Sequence, residues 1–365
     1  MNNRHKSIRL AIIATGIGVI RRGFEVSAVN WYQALEEDGR VNVCLYGARA
    51  EAGAQAVPCL RQNGWTARIL RKLRMIKDGA RLQQRTFFWG YLPVLLVWRP
   101  HFIWIQEWTL ASQLQIWVRR LGLNTKIIFC DGAPVGAKAC AGFDHIVLLH
   151  EAAYRAMLSY GAPSEKVSLI PYICEVKAVA MDRHAARAQL GYTDSDWVVL
   201  SVAAWNTHHK RIDYLIKEAA EANVPNLRLL LCGQSEKETE KLKELADKLM
   251  PNRVQWVTLH PDKVGLVYRA ADVFTLASVS EGLGAVLIEA AYHNLPIICH
   301  QYDSARFIFG DYKGVADLSV PGGLQNQLER VASGVHWAPT RGFLENRLTK
   351  EILVKDMVVL LEGLS

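Results

Sequence analysis

Two hydrophobic periods alternate along this chain. Short apolar runs suited to buried strands fall at residues 7–15, 41–47, 102–106, 126–130, 144–149 and 167–170. Between them lie stretches of helical spacing, as at 24–37, where Phe24, Val26, Ala28, Trp31 and Leu35 recur. The alternation resumes further on, with a helix over 185–191 and strands over 197–202, 227–233 and 254–259. A charged helix is predicted over 237–249, and residues 268–277 read as a helix end followed by a short buried strand. Strands over 295–299 and 314–317 come next, and the tail from 343 to 361 reads as one or two helices. Strands that alternate with helices form parallel sheets wrapped on both faces, so the predicted class is α/β with doubly wound, Rossmann-like domains.

Length and composition sharpen this into two domains. The chain has 365 residues, half of them hydrophobic and 21% charged, which is more than one small core needs and leaves no disordered tract. The net charge of +8 is uneven: residues 1–170 hold 22 Lys and Arg against 11 Asp and Glu, and residues 171–365 hold 21 against 24. A basic first half and a nearly neutral second half suggest domains with different partners. Seven cysteines are scattered without a CxxC pair, which points to a reducing compartment and no zinc site. The basic, briefly apolar N-terminus lacks a cleavage pattern and reads as a first strand. The run at 86–98 is too short to span a bilayer and contains Gly90 and Pro93. The expectation is a cytoplasmic protein, at most peripheral on a membrane.

Candidate chemistry clusters at predicted strand ends. Residues 278–291, SVSEGLGAVLIEAA, set a strand, a glycine turn and a helix in succession. That order aims the backbone N–H groups of Gly282, Leu283, Gly284 and Ala285 at an anion. Glu281 stands at the turn, and Glu289 is expected on the same helix, about two turns along and near the same face at roughly 100° per residue. Two solvated glutamates on a surface helix are the plain alternative. Upstream, residues 203–216 (AAWNTHHKRIDYLI) offer Asn206, Lys210 and Arg211 at a strand-to-helix turn, with Gly233 ending the next strand. His208 and His209 are adjacent, so their side chains point apart and do not suggest a metal. Near the start, Gly16 and Gly18 form a strand-to-helix loop. A dinucleotide-binding reading fails there, because Arg21 stands where a third glycine belongs and the second strand ends without a carboxylate. Glu107 and Asp131 end two further strands, where ligands of open α/β sheets bind, although Asp131 before glycine also suits a plain turn cap.

The Glu281-Gly-Leu-Gly turn, with Glu289-Ala290 after four more residues, resembles the signature of the retaining, nucleotide-sugar-dependent glycosyltransferases of family 4. The resemblance implies the GT-B fold, two Rossmann-like domains facing each other across a deep cleft. The expected division is an acceptor-side domain at 1–172, a linker at about 171–183, a donor domain at 183–342, and a tail at 343–365 packing back on the first domain. It implies catalytic roles for Lys210 on the departing diphosphate and Glu281 on the sugar hydroxyls, with Glu289 on the ribose. Gly233 would lie near base and ribose, and Gly16 and Gly18 near the donor phosphates. The family's arginine before the lysine is absent, for Ala203, Ala204, Trp205 and Asn206 occupy that stretch. Arg211, His208, His209 or Asn206 is expected to take part of its load. Asp131 stands where the family often carries histidine, and with Arg22 and Glu107 it forms the candidate acceptor set.

The activity so implied is a retaining transfer from a nucleoside-diphosphate sugar to a hydroxyl, with no metal and no cofactor. A saccharide, a glycolipid or a small molecule would be the acceptor, in cell-surface polysaccharide or glycolipid synthesis. The alternatives are a non-catalytic scaffold, an epimerase or a phosphorylase on the same fold. Residues 61–85 carry eight Lys and Arg interleaved with Trp65, Ile69, Leu70, Leu73, Met75 and Ile76. They read as a segment lying on an anionic membrane, or as a solvated basic face on a core helix. A nucleic-acid patch is disfavoured, since no recognition motif accompanies it.

Overall fold

The computed structural model describes residues 8–20, 22–131, 137–140, 142–174, 176, 180–335 and 347–365. Arg21, Gly132, parts of the expected linker and the start of the tail at Phe343 lie outside them. The chain divides into two compact units, Met1–Cys174 with Arg347–Ser365, and Glu175–Asn346.

The first unit runs β1 (Ile8–Ile13), α1 (Gly23–Asp38), β2 (Val41–Gly47), β3 (Gln55–Ala56), α2 (Trp65–Lys72), α3 (Gly79–Trp98), β4 (Phe102–Ile105), α4 (Trp108–Arg120), β5 (Lys126–Asp131), α5 (Ala137–Cys140), β6 (His145–Leu148), α6 (Glu151–Ser159) and β7 (Val167–Leu169). Its sheet is parallel, in the order β3-β2-β1-β4-β5-β6-β7. Strands β4 and β6 are buried at every position, as expected of a sheet covered on both faces. The core between sheet and helices includes Phe87, Phe88, Tyr91, Ile103 and Phe129.

Two features escape the hydrophobic pattern. Strand β3 is two residues long, too short to show a period. Helix α3 runs unbroken through both Gly90 and Pro93. Gly90 is needed because an added Cβ would lie 2.2 Å from the Pro58 carbonyl oxygen, so only a bare backbone lets that loop close on the helix. Among the described residues, no helix is long and apolar enough to cross a membrane.

The second unit runs α7 (Arg183–Leu190), β8 (Trp197–Val202), α8 (Ile212–Glu221), β9 (Leu227–Cys232), α9 (Thr239–Leu249), β10 (Val254–Val257), α10 (Gly265–Ala270), β11 (Val273–Leu276), α11 (Ala285–Tyr292), β12 (Ile297–His300), α12 (Asp303–Phe309), β13 (Val315–Ala316) and α13 (Gly323–Ala332). Its parallel sheet has the order β10-β9-β8-β11-β12-β13. Buried Arg187 ties α7 to this sheet through Asp272 at 2.5 Å and the Ala270 carbonyl at 3.0 Å. The last helix, α14 (Lys350–Leu364), belongs to the first unit: Lys350 Nζ meets Glu37 of α1 at 2.7 Å, and Lys126 at the start of β5 donates to the Leu364 carbonyl.

In both sheets the strand order reverses direction once, between β1 and β4 and between β8 and β11. Connections leave such a pair toward opposite sides and open a crevice at the strand C-termini, where open α/β sheets take their ligands. The candidate residues sit on the loops beside these two points.

Candidate functional site

In the second unit, the loop from β8 to α8 is built on Asn206. Its buried Oδ1 accepts from the backbone N–H of His209 at 3.1 Å and of Lys210 at 2.8 Å, and its Nδ2 donates to Glu236 at 3.2 Å. Thr207 donates through both N–H and hydroxyl to Glu238 Oε2, each at 2.7 Å. Asn206 is therefore the frame of the loop, with both ends of its amide engaged, and the side chain it presents is Lys210. Arg211 turns away: its guanidinium donates to the Leu318 carbonyl at 2.7 Å and stacks on Tyr214 at 4.1 Å.

Opposite lies the loop from β11 to α11. The expectation that Glu281 shares a helix with Glu289 is corrected here. Helix α11 begins at Ala285, and Gly284 at its N-cap has φ +79°, a left-handed conformation through which an L-residue helix does not run. Glu281 instead sits on the preceding loop. Its carboxylate accepts from Lys210 Nζ, its carbonyl accepts from the Ser304 hydroxyl of α12 at 3.1 Å, and His209 Nε2 is 2.8 Å from the Ser280 carbonyl. An ammonium and a carboxylate, each less than a fifth exposed, are thus paired beside the first turn of α11, whose N–H groups have no intrahelical partners.

Glu289 lies within α11 and accepts from the Tyr268 hydroxyl at 2.8 Å. Burial pushes its carboxyl above the usual range, against the lowering effect of that bond. Gly233 is a steric necessity, since an added Cβ would lie 1.8 Å from the Ala203 carbonyl oxygen.

On the loops beyond β8, β11 and β12, Trp205 Nε1, Ser278 Oγ and the Tyr302 hydroxyl are buried without a hydrogen-bond partner among the described residues. A Cβ added at Gly284 would stand 3.5 Å from the Tyr302 oxygen, so that hydroxyl faces the start of α11. Sequence reasoning passed over Tyr268, Ser278, Tyr302 and Ser304. The position of Ser278 at a strand end was a usable signal; the other three gave none.

The crevice of the first unit is organised differently. Glu107, buried at the end of β4, accepts from Thr15 N at 2.8 Å and Thr15 Oγ1 at 2.5 Å, clamping the end of β1. Gln83 of α3 donates to the Thr15 carbonyl at 2.5 Å. Glu25, in the first turn of α1, accepts from the Arg22 backbone at 3.0 Å and its guanidinium at 2.9 Å, so its carboxylate caps the helix start. An added Cβ at Gly16 would fall 2.0 Å from Glu25 Oε1, so the carboxylate occupies the space that glycine leaves. Gly18 has φ +73°, and a Cβ there would meet Arg49 at 2.5 Å. Gly16, Gly18, Arg22 and Glu107 thus converge on one loop, whereas Asp131 ends β5, 4.0 Å from Cys140 Sγ.

Burial pushes the Glu107 carboxyl up to about 7, against the two bonds from Thr15, with nearby Glu25 adding to the rise. The folded form then binds this proton more readily than the unfolded chain. Glu107 therefore favours folding increasingly as pH falls from about 7 toward its ordinary 4.5, and opposes it above. Glu107→Gln is expected to flatten the dependence of the thermal midpoint across that window; an unchanged slope would place the titration elsewhere.

Two Rossmann-like units with these strand orders define the class, the GT-B fold. Residues 182–330 match the family described as glycosyl transferases group 1. A D-inositol 3-phosphate glycosyltransferase of Segniliparus rotundus is 32% identical over 147 residues, a match covering 38% of this chain and 32% of the relative. The chain thus spans about a third of that relative's length. Among solved structures, the sucrose-phosphate synthase of Thermosynechococcus elongatus superposes with a TM-score of 0.79 at 18% identity, covering 98% of this chain and 99% of that one. HepE of Anabaena, solved with UDP and glucose, gives 0.75 at 15%, covering 98% and 100%. At these identities the structural likeness speaks for the fold.

Proposed function

We propose that this chain is a retaining glycosyltransferase that moves a sugar from a nucleoside-diphosphate sugar to a hydroxyl acceptor in the synthesis of a surface polysaccharide or glycolipid. The observation that carries the reading is the Lys210–Glu281 pair just before the start of α11, with Glu289 further along that helix. The charges match the parts of such a donor. Lys210 and the N–H groups from Gly282 to Ala285 face the diphosphate, Glu281 takes sugar hydroxyls, and Glu289 takes the ribose. As the bond from sugar C1 to the β-phosphate oxygen breaks, negative charge grows on that phosphate, where an ammonium and a helix N-terminus stabilise it. The acceptor oxygen bonds C1 on the same face, and its proton passes to the departing phosphate. The reading assigns charge neutralisation to Lys210 and α11, and no residue to a metal.

With the family's arginine missing, His208 and His209 are the remaining candidates on this loop, since Arg211 is engaged by the Leu318 carbonyl. A uridine nucleotide is the first donor to test, because HepE, which shares the fold, was solved with UDP and glucose. Calorimetric titration with UDP, GDP, ADP and CDP, repeated on Glu289→Ala, tests the reading. The expected result is selective binding of one nucleotide, weakened at least roughly tenfold in the variant, the scale of a lost charged hydrogen bond. Absence of binding to all four at millimolar concentration would overturn it in favour of a non-catalytic scaffold.

A further inference from the structure

Within the basic segment singled out in the sequence, α2 makes none of the crevice contacts described above. Helix α2 packs inward through buried Ala67 and half-buried Leu70, and Gln62 just before it is held by Gln83 of α3 at 2.7 Å. The opposite face carries Trp65, Ile69 and Leu73, spaced four apart and therefore one stripe along the helix. They are 73%, 47% and 62% exposed, and Met75 just beyond is 68% exposed. A folded unit with its own core has no reason to leave an indole and three aliphatic side chains aligned in water unless something covers them.

Charge decides what covers them. Residues 61–85 hold eight Lys and Arg and one acidic residue, Asp78, which caps α3 by accepting from Ala80 N at 2.8 Å. On the helix, Arg68 and Lys72 flank the apolar stripe, with Arg74 and Lys77 beyond it. These four are exposed, and none is in an ion pair among the described residues. An apolar stripe bordered by free cations matches the boundary of an anionic bilayer, apolar below and negatively charged at the headgroups. A nucleic acid would satisfy the cations but give the four apolar side chains nothing to enter. We infer that α2 is a membrane-docking helix, lying in the headgroup region of an anionic bilayer with Trp65, Ile69, Leu73 and Met75 immersed.

The test uses the full chain and no nucleotide sugar, so its failure would leave the transfer reading untouched. Flotation with vesicles of phosphatidylcholine mixed with phosphatidylglycerol, and of phosphatidylcholine alone, is compared at low and high salt. Binding is expected to need the anionic lipid and to fall as salt rises. Trp65→Ser with Leu73→Ser should weaken it at least roughly tenfold, as lost apolar immersion requires. Arg68→Gln with Lys72→Gln should weaken it roughly fivefold or more and reduce its salt dependence. These positions are exposed, and unchanged thermal midpoints would show that the variants fold. The inference is overturned by any of three results: no binding to anionic vesicles, binding indifferent to the Trp65 and Leu73 changes, or association with RNA or a second copy of the chain that those changes abolish in the absence of vesicle binding.

Discussion

Lys210→Ala is expected to lower kcat with the nucleotide-sugar donor by roughly 10²–10³-fold, the scale of losing one preorganised donor to developing charge. The loss has two parts. The ammonium that would meet the departing diphosphate is gone, and Glu281, only 12% exposed, is left facing it without a counter-charge. The second part predicts a sign that separates this pair from two independent contributors. Adding Glu281→Gln to Lys210→Ala removes the uncompensated carboxylate, so donor KM should recover partly while kcat stays low. Steady-state kinetics on the four proteins decides it. A Lys210→Ala enzyme within a few-fold of the parent would remove Lys210 from the chemistry, and full additivity would show that the pair does not act together.

Lys210 and Glu281 were legible as neighbours of strand ends because each lies on a loop that leaves a strand whose apolar run is plain. The parallel sheet places all such ends on one edge. Strand order was beyond reach: nothing local says that β8 neighbours β11, and that adjacency brings the loop at 206–210 against the loop at 277–284. What the pattern misread came from competition between backbone groups. Asn206 looked like a ligand contact, yet at a strand-to-helix turn its short amide satisfies the loop's own N–H groups first. Arg211 looked like a phosphate contact, yet main-chain carbonyls 66 and 107 residues away take its guanidinium. Tyr268, Tyr302 and Ser304 act across the fold, and their local sequence carries no trace of it. In the first unit Gly16 read as room for a ligand, whereas Glu25 fills that room to cap α1.

Gly233→Ala is expected to cost more stability than any other single methyl added around the second unit's crevice. The new Cβ would lie 1.8 Å from the Ala203 carbonyl oxygen and 2.7 Å from its carbon, both rigid backbone atoms. Neither side can give way easily. Ala203 N donates to the Cys232 carbonyl at 2.9 Å, Gly233 N donates to the Val257 carbonyl at 2.9 Å, and Thr258 Oγ1 donates to the Gly233 carbonyl at 2.6 Å. Relief requires β8 and β9 to part at their exits, breaking bonds of this ladder, at a cost of about 3 kcal/mol or more. For a unit of this size that lowers its unfolding midpoint by roughly 6–12 °C. Gly142→Ala is the control: nothing lies within 4 Å of its added Cβ, and its effect should stay within about 1 kcal/mol. Because Ala203 opens the loop that carries Lys210, the strained protein should also lose nucleotide binding at temperatures where it remains folded. Scanning calorimetry with and without nucleotide reads both effects. A Gly233→Ala protein with parental midpoint and affinity would mean that the two strand exits are further apart in solution than this packing requires.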